Sequence, residues 1–168
     1  MSEINLIYEE EHCRYTENTF LRSISNILEE LIQETDIFQI KKSLFHSEKL
    51  PNISLENYLI RIVRYTKCSK ECLLIALIYL YRIQELNQEQ LLNKQSVHRF
   101  LIIAIVLAIK YQDDDIYGND YYAKVGGITM QELNDMEKEF LDRIEFQLFI
   151  DQDHYYFYQQ KINQFSRL

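Results

Sequence analysis

Apolar side chains recur along most of this chain at steps of three and four residues. That is the period of an α-helix buried along one face. Phe20, Ile24, Ile27, Leu28, Leu31 and Ile32 set the first such helix, over about residues 17–34. Residues 35–50 keep no period and end at Pro51, so they read as an irregular connection. Leu55, Tyr58, Leu59, Ile62 and Val63 mark the next helix, with Ser54 as its N-cap. Ser69 caps a helix ending near Leu86, and residues 87–95 read as a polar linker. A helix over about 96–111 follows, ending in Lys110 and Tyr111. A short helical turn from Tyr121 to Val125 stops at Gly126 and Gly127, where left-handed geometry suits a C-cap. Thr129 and Glu132 then form a T-x-x-E capping box. Behind it Met130, Leu133, Met136, Phe140, Leu141, Ile144 and Leu148 keep helical spacing. The aromatic tail over 151–168 makes a last helix, and residues 1–16, with Glu9, Glu10 and Glu11 in a row, read as a loosely held N-terminal arm. The two longest apolar runs, Cys72 to Tyr81 and Phe100 to Ile109, are half the length of about 20 residues that a membrane span needs. They predict helices buried on nearly all sides, not a membrane protein.

Composition narrows the fold to one all-α domain. The 168 residues hold only three glycines and one proline, too few for a sheet-rich chain of this size. The net charge of −8 argues against a nucleic-acid partner, which needs clustered cations. Three scattered cysteines do not make a disulfide framework and fit a reducing compartment. Ser2, Glu3 and Ile4 after Met1 are not the basic and apolar start of a signal peptide.

Catalytic chemistry is hard to find. His12, His46, His98 and His154 include no pair at metal-ligand spacing, and His98 reads as a packing or capping histidine. Cys68 and Cys72 stand four apart, a spacing that could place both on one helical face, but two further ligands are lacking and small buried hydrophobes are the reading. Gly126-Gly127 has neither the lysine nor the preceding strand of a phosphate loop. No metal, cofactor or small-molecule substrate is expected. Asp113, Asp114 and Asp115 read as a solvated acidic loop, with a contact to a partner's arginine as the alternative. Lys110 either snorkels from the edge of the core or donates to a partner. Glu137, at the margin of its apolar face, poses the same choice.

The order of the segments carries a resemblance. ISLENYLIRIVRY (53–65), LLIALIYLYRI (73–83), SVHRFLIIAIVLAIKYQDD (96–114) and YYAKVGGITMQELNDMEKEFLDRIEFQL (121–148) together resemble a cyclin box. They are most similar to the single-box P-type cyclins (U-type in plants), the family of the fungal phosphate-signalling cyclins. The most specific stretch is Tyr122, Ala123, Lys124, Val125, Gly126 and Gly127, with the VHR of Val97 to Arg99 as a second signature. The resemblance implies a cyclin box over about 53–148, within one domain over 17–168, with helices flanking it on both sides.

The resemblance also implies a function. Such proteins are non-catalytic regulatory subunits that bind and activate a cyclin-dependent serine/threonine kinase, as a heterodimer in the cytoplasm or nucleus. In the family pattern a lysine ends the third box helix and a glutamate sits in the fifth, which match Lys110 and Glu137. Leu107, Tyr111, Leu141, Phe146 and Leu148 are the expected apolar contacts beside them. In this light Asp114 is expected to meet an arginine of the kinase and stand in for part of an activation-loop phosphate. The chain departs from the family at Tyr81, where an Asp usually precedes the Arg, and in lacking the Met-Arg and Trp of the substrate-docking motif, where Pro51 to Tyr58 stand. The departure leaves a second reading, a cyclin-fold adaptor that activates no kinase.

Overall fold

A computed structural model gives the fold over residues 18–32, 43–87 and 91–166, and no β-strand occurs among them. The helices are α1 (18–32), α2 (Leu55–Thr66), α3 (Lys70–Leu86), α4 (Val97–Gln112), α5 (Asn119–Gly126), α6 (Met130–Arg143) and α7 (Gln152–Phe165). The expected N-terminal arm, and residues 33–42 behind α1, lie outside the described residues.

Side-chain caps start four of these helices. Ser54, Ser69, Thr129 and Asp151 each accept a backbone N–H from the first turn, supplying an acceptor the helix lacks. At Thr129 the box is complete, because the Glu132 carboxylate reaches back to the Thr129 N–H at 2.9 Å. α4 is the centre. From Phe100 to Ile109 no residue is more than 5% exposed, since α2, α3, α5 and α6 all pack around it. This explains the unbroken apolar run: a helix covered on every side has no face left for polar residues. α1 buries Leu21, Ile24, Ile27 and Leu28, and α7 packs on α3.

Two expectations need correction, and a third gains detail. The helix expected to run on to Leu148 ends at Arg143. Glu145 and Phe146 both adopt left-handed backbone, at φ of 55°, and turn the chain away. Ile144 is fully buried and Leu148 half-buried, so the helical spacing persists as core contacts made from non-helical backbone. The linker is not simply polar either. Leu91, Leu92, Asn93 and Ser96 are buried, and the Ser96 hydroxyl donates to the Leu91 carbonyl at 2.6 Å. Finally, the irregular stretch before Pro51 anchors to the core through Phe45, fully buried and stacked on Phe100 at 3.8 Å between ring centroids.

Candidate functional site

α4 and α6 run together at the end of the bundle where α4 stops. Lys110 sits in the last turn of α4, where a cation complements the helix dipole. Its Nζ donates to Oε1 of Glu137 on α6 at 2.5 Å. Asn119, the first residue of α5, donates to the other Glu137 oxygen at 3.0 Å and also to Asn134 at 2.7 Å. Three helices thus converge on one carboxylate. The side chains of Lys110 and Glu137 retain 29% and 15% exposure, so the pair lies at the rim of the core and within a partner's reach. Lys110 and Glu137 are 27 residues apart in the chain, and the fold couples them.

Next to this pair the surface turns apolar. Tyr111 is half exposed, and its phenol lies close enough to Tyr79 to raise that hydroxyl's pKa, behind the larger effect of burial. Tyr79 donates to the Leu148 carbonyl at 3.0 Å. Arg82 donates to the carbonyls of Gln147 and, at 3.0 Å, Phe149. These two α3 residues pin the backbone behind α6, and the Phe146 N–H bonds to the Leu141 carbonyl at 3.0 Å. Held this way, Phe146 is 65% exposed and Phe149 is 74% exposed. Leu141 and Leu148 are half-buried beneath them. Leu107 corrects the expectation: at 5% exposure it supports this face from inside and has almost no area to present. Phe149, Asn119, Tyr79 and Arg82 are the members that sequence reasoning missed. A large aromatic just past the end of a periodic run was the available signal for Phe149.

The acidic loop divides. Asp113 accepts from the Ser69 hydroxyl at 3.2 Å and closes the end of α4 against the start of α3, while Asp114 and Asp115 are exposed. Asp114 is therefore presented to solvent just beyond Lys110 and Tyr111.

The 122–127 signature is mostly packing. Tyr122, Ala123 and Val125 are buried, and only Lys124 and Gly127 are exposed. The two glycines serve different ends. A Cβ on Gly126 would lie 2.9 Å from Cγ1 of the buried Ile102, and the Gly126 carbonyl accepts from the Tyr58 hydroxyl at 2.9 Å. Gly127 alone carries the left-handed cap, at φ 70°.

The other chemical candidates are inert. Burial pushes the Cys72 thiol up to about 12, so it stays protonated. His98 lies against Tyr58 and donates from Nε2 to the Ile53 carbonyl at 2.9 Å, and burial lowers its pKa. Among the described residues no group of three or more His, Cys, Asp or Glu side chains could hold a metal ion. No described helix is long and apolar enough to cross a membrane. At Tyr81, where the resembling family carries Asp, the hydroxyl accepts from Lys161 of α7 at 2.7 Å, and the same ammonium stands 4.4 Å from the ring centroid.

Comparison with known proteins places the chain among its relatives. A family model described as Cyclin matches residues 13–148. Cyclin-U4-1 of Arabidopsis thaliana is 37% identical over 131 residues, covering 74% of this chain and 65% of that protein. Cyclin-U1-1 of the same plant is 35% identical over 135 residues, covering 76% and 64%. Cyclin-P3-1 of Oryza sativa subsp. japonica is 38% identical over 118 residues, covering 69% of this chain and 50% of that protein. The chain thus spans between about half and two thirds of the length of these curated relatives.

Proposed function

The chain belongs to the cyclin family, as a single-box cyclin of the U and P type, and from that premise we propose that it is the activating subunit of a cyclin-dependent serine/threonine kinase. The observation that carries this reading is the Lys110–Glu137 pair, set at the rim of the core beside the exposed Tyr111, Phe146 and Phe149. Lys110 can donate to carbonyls at one end of a partner helix, and Glu137 can accept from N–H groups. The aromatic side chains bury that helix's apolar face. The mechanism is a shift of population. By contacting the kinase only in its active arrangement, the subunit favours that arrangement by the difference in contact energy. Asp114 meets an arginine of the kinase and supplies part of the charge that an activation-loop phosphate otherwise provides. The pathway is cell-cycle or nutrient, including phosphate, signalling, in the cytoplasm or nucleus.

The adaptor reading draws on one observation, the Tyr81–Lys161 contact at the position of the family's Asp. A tagged pull-down from native lysate separates the two. Wild type is compared with a Lys110→Ala, Glu137→Ala double variant, and the bound fraction is assayed on a generic peptide substrate. Activation predicts an active kinase with wild type and at least a tenfold loss with the variant. Recovery of no kinase by either form would favour the adaptor.

A further inference from the structure

A groove of about 560 Å³ lies between α2 and α5, away from the Lys110–Glu137 rim. Its lining is Asn57, Ile60, Arg61, Arg64, Tyr65, Tyr121, Lys124 and Val125. Three of these carry positive charge and none carries negative charge, in a chain whose acids outnumber its bases by 26 to 18. The cations are also unpaired. Arg22, Arg99, Lys110 and Arg143 each meet a carboxylate, whereas Arg61, Arg64 and Lys124 form no ion pair among the described residues. All three are exposed. Arg61 and Arg64 stand three apart and so share a face of α2.

The groove is preformed. Tyr121 donates to the Tyr65 carbonyl at 2.7 Å, Arg61 to the Lys124 carbonyl at 3.2 Å, and Tyr58 to the Gly126 carbonyl at 2.9 Å. These bonds tie α2 to α5 along the length of the groove. Arg61 spends one donor on that tie and keeps the rest of its fork for a ligand. Ile60, partly buried, offers apolar surface, and Tyr65, half exposed, offers an aromatic wall.

We propose that the groove between α2 and α5 docks a phosphorylated serine or threonine segment of a protein partner, with Arg61, Arg64 and Lys124 holding the phosphate. Two guanidinium forks and an ammonium match a dianion with three acceptor oxygens better than they match a single carboxylate. Ile60 and Tyr65 take an apolar side chain next to the phosphoresidue. The proposal rests on the kinase-subunit reading for its consequence: a substrate phosphorylated once is retained for further phosphorylation.

The test uses the full chain and a degenerate peptide pool offered in three forms, containing phosphoserine, unmodified serine or aspartate. Binding is read by fluorescence polarisation. The phosphorylated pool is expected to bind at least tenfold more tightly than either of the others. An Arg64→Glu, Lys124→Glu variant, altered only at exposed positions, is expected to lose that preference while keeping its helical circular dichroism. Equal binding of the three pools, an unchanged preference in the variant, or binding of phosphatidylserine vesicles in place of peptide would each overturn the proposal. Kinase recovery is measured in parallel. Lys110→Ala, Glu137→Ala should lose the kinase and keep the peptide, and the groove variant should do the reverse, so failure of one reading is distinct from failure of the other.

Discussion

Adjacent glycines can serve unrelated purposes, and Gly126 and Gly127 are such a case. At Gly126 the constraint is space, because Ile102 sits in the fully enclosed α4 and cannot retreat from an added Cβ. At Gly127 the constraint is backbone, because φ is 70° and nothing lies near the missing side chain. Gly126→Ala should destabilise by about 1–3 kcal/mol through overpacking. Gly127→Ala should cost about 1–2 kcal/mol through left-handed strain. In an Ile102→Ala background, which removes the Cγ1 in the way, Gly126→Ala should cost less than it does alone, whereas Gly127→Ala should cost the same in either background. Chemical denaturation of these variants checks this, and equal rescue of both glycine variants would refute the distinction. Phe146 poses the left-handed problem in an aromatic residue. Its backbone strain persists because Tyr79 and Arg82 hold the following segment in place.

Between elements, two titratable groups join helices, and both make the chain sensitive to acid. His98 ties α4 to the backbone just before α2, and burial lowers its pKa below the usual 6.5. The unfolded chain then holds the proton more tightly, so the stability of the neutral form is full above about pH 6.5 and is lost as pH falls through the folded value. Glu132 closes the α6 capping box and pairs with Arg99 of α4 at 2.9 Å. Hydrogen bonds from the Thr129 backbone, then its hydroxyl, and the charge of Arg99 lower its pKa below 4.5. Its contribution is full above that value and is lost at lower pH. Denaturation midpoints from pH 7.5 to 3.5 should fall in two stages, and His98→Gln, which keeps a donor, should flatten only the upper one.

The elements themselves were legible because their signals are local. The caps at Ser54, Ser69 and Thr129 and the all-round apolarity of α4 are written in neighbouring residues. What was not legible depends on distant contacts. Nothing near Phe45 announces that it stacks on Phe100. Nothing near Leu148 announces that α3 side chains will seize its carbonyl and end the helical path early. Lys110 and Glu137 were singled out from the sequence, but their pairing and the place of Asn119 in it follow from how α4, α5 and α6 converge.

At the scale of the whole molecule, α4 backs both candidate surfaces. It ends in the Lys110 rim on one side and packs against α2 and α5, which wall the basic groove, on the other. No residue lines both, so each surface can bind without excluding the other. The chain also closes on itself. The Ser23 and Ser166 hydroxyls meet at 2.9 Å, so α1 and the end of α7 share one edge of the bundle. The two surfaces are joined through α5 as well, whose Asn119 bonds to Glu137 while its Tyr121 and Lys124 line the groove.

The Lys110–Glu137 pair makes partner binding an exchange. The free chain already satisfies both charges, so a partner gains only the difference between its own hydrogen bonds and the pair it displaces. In the proposed complex one ion pair opens as others form, so few counterions are freed overall. The basic groove is the opposite case, with three cations that no carboxylate neutralises among the described residues. Raising ionic strength from about 0.05 M to about 0.5 M should therefore leave kinase recovery within about twofold while weakening phosphopeptide binding at least tenfold. A parallel decline of both would show that the rim charges are not exchanged but simply added. If both proposals hold, ionic strength acts as a selector, stripping the groove of its phosphopeptide while the kinase stays in place.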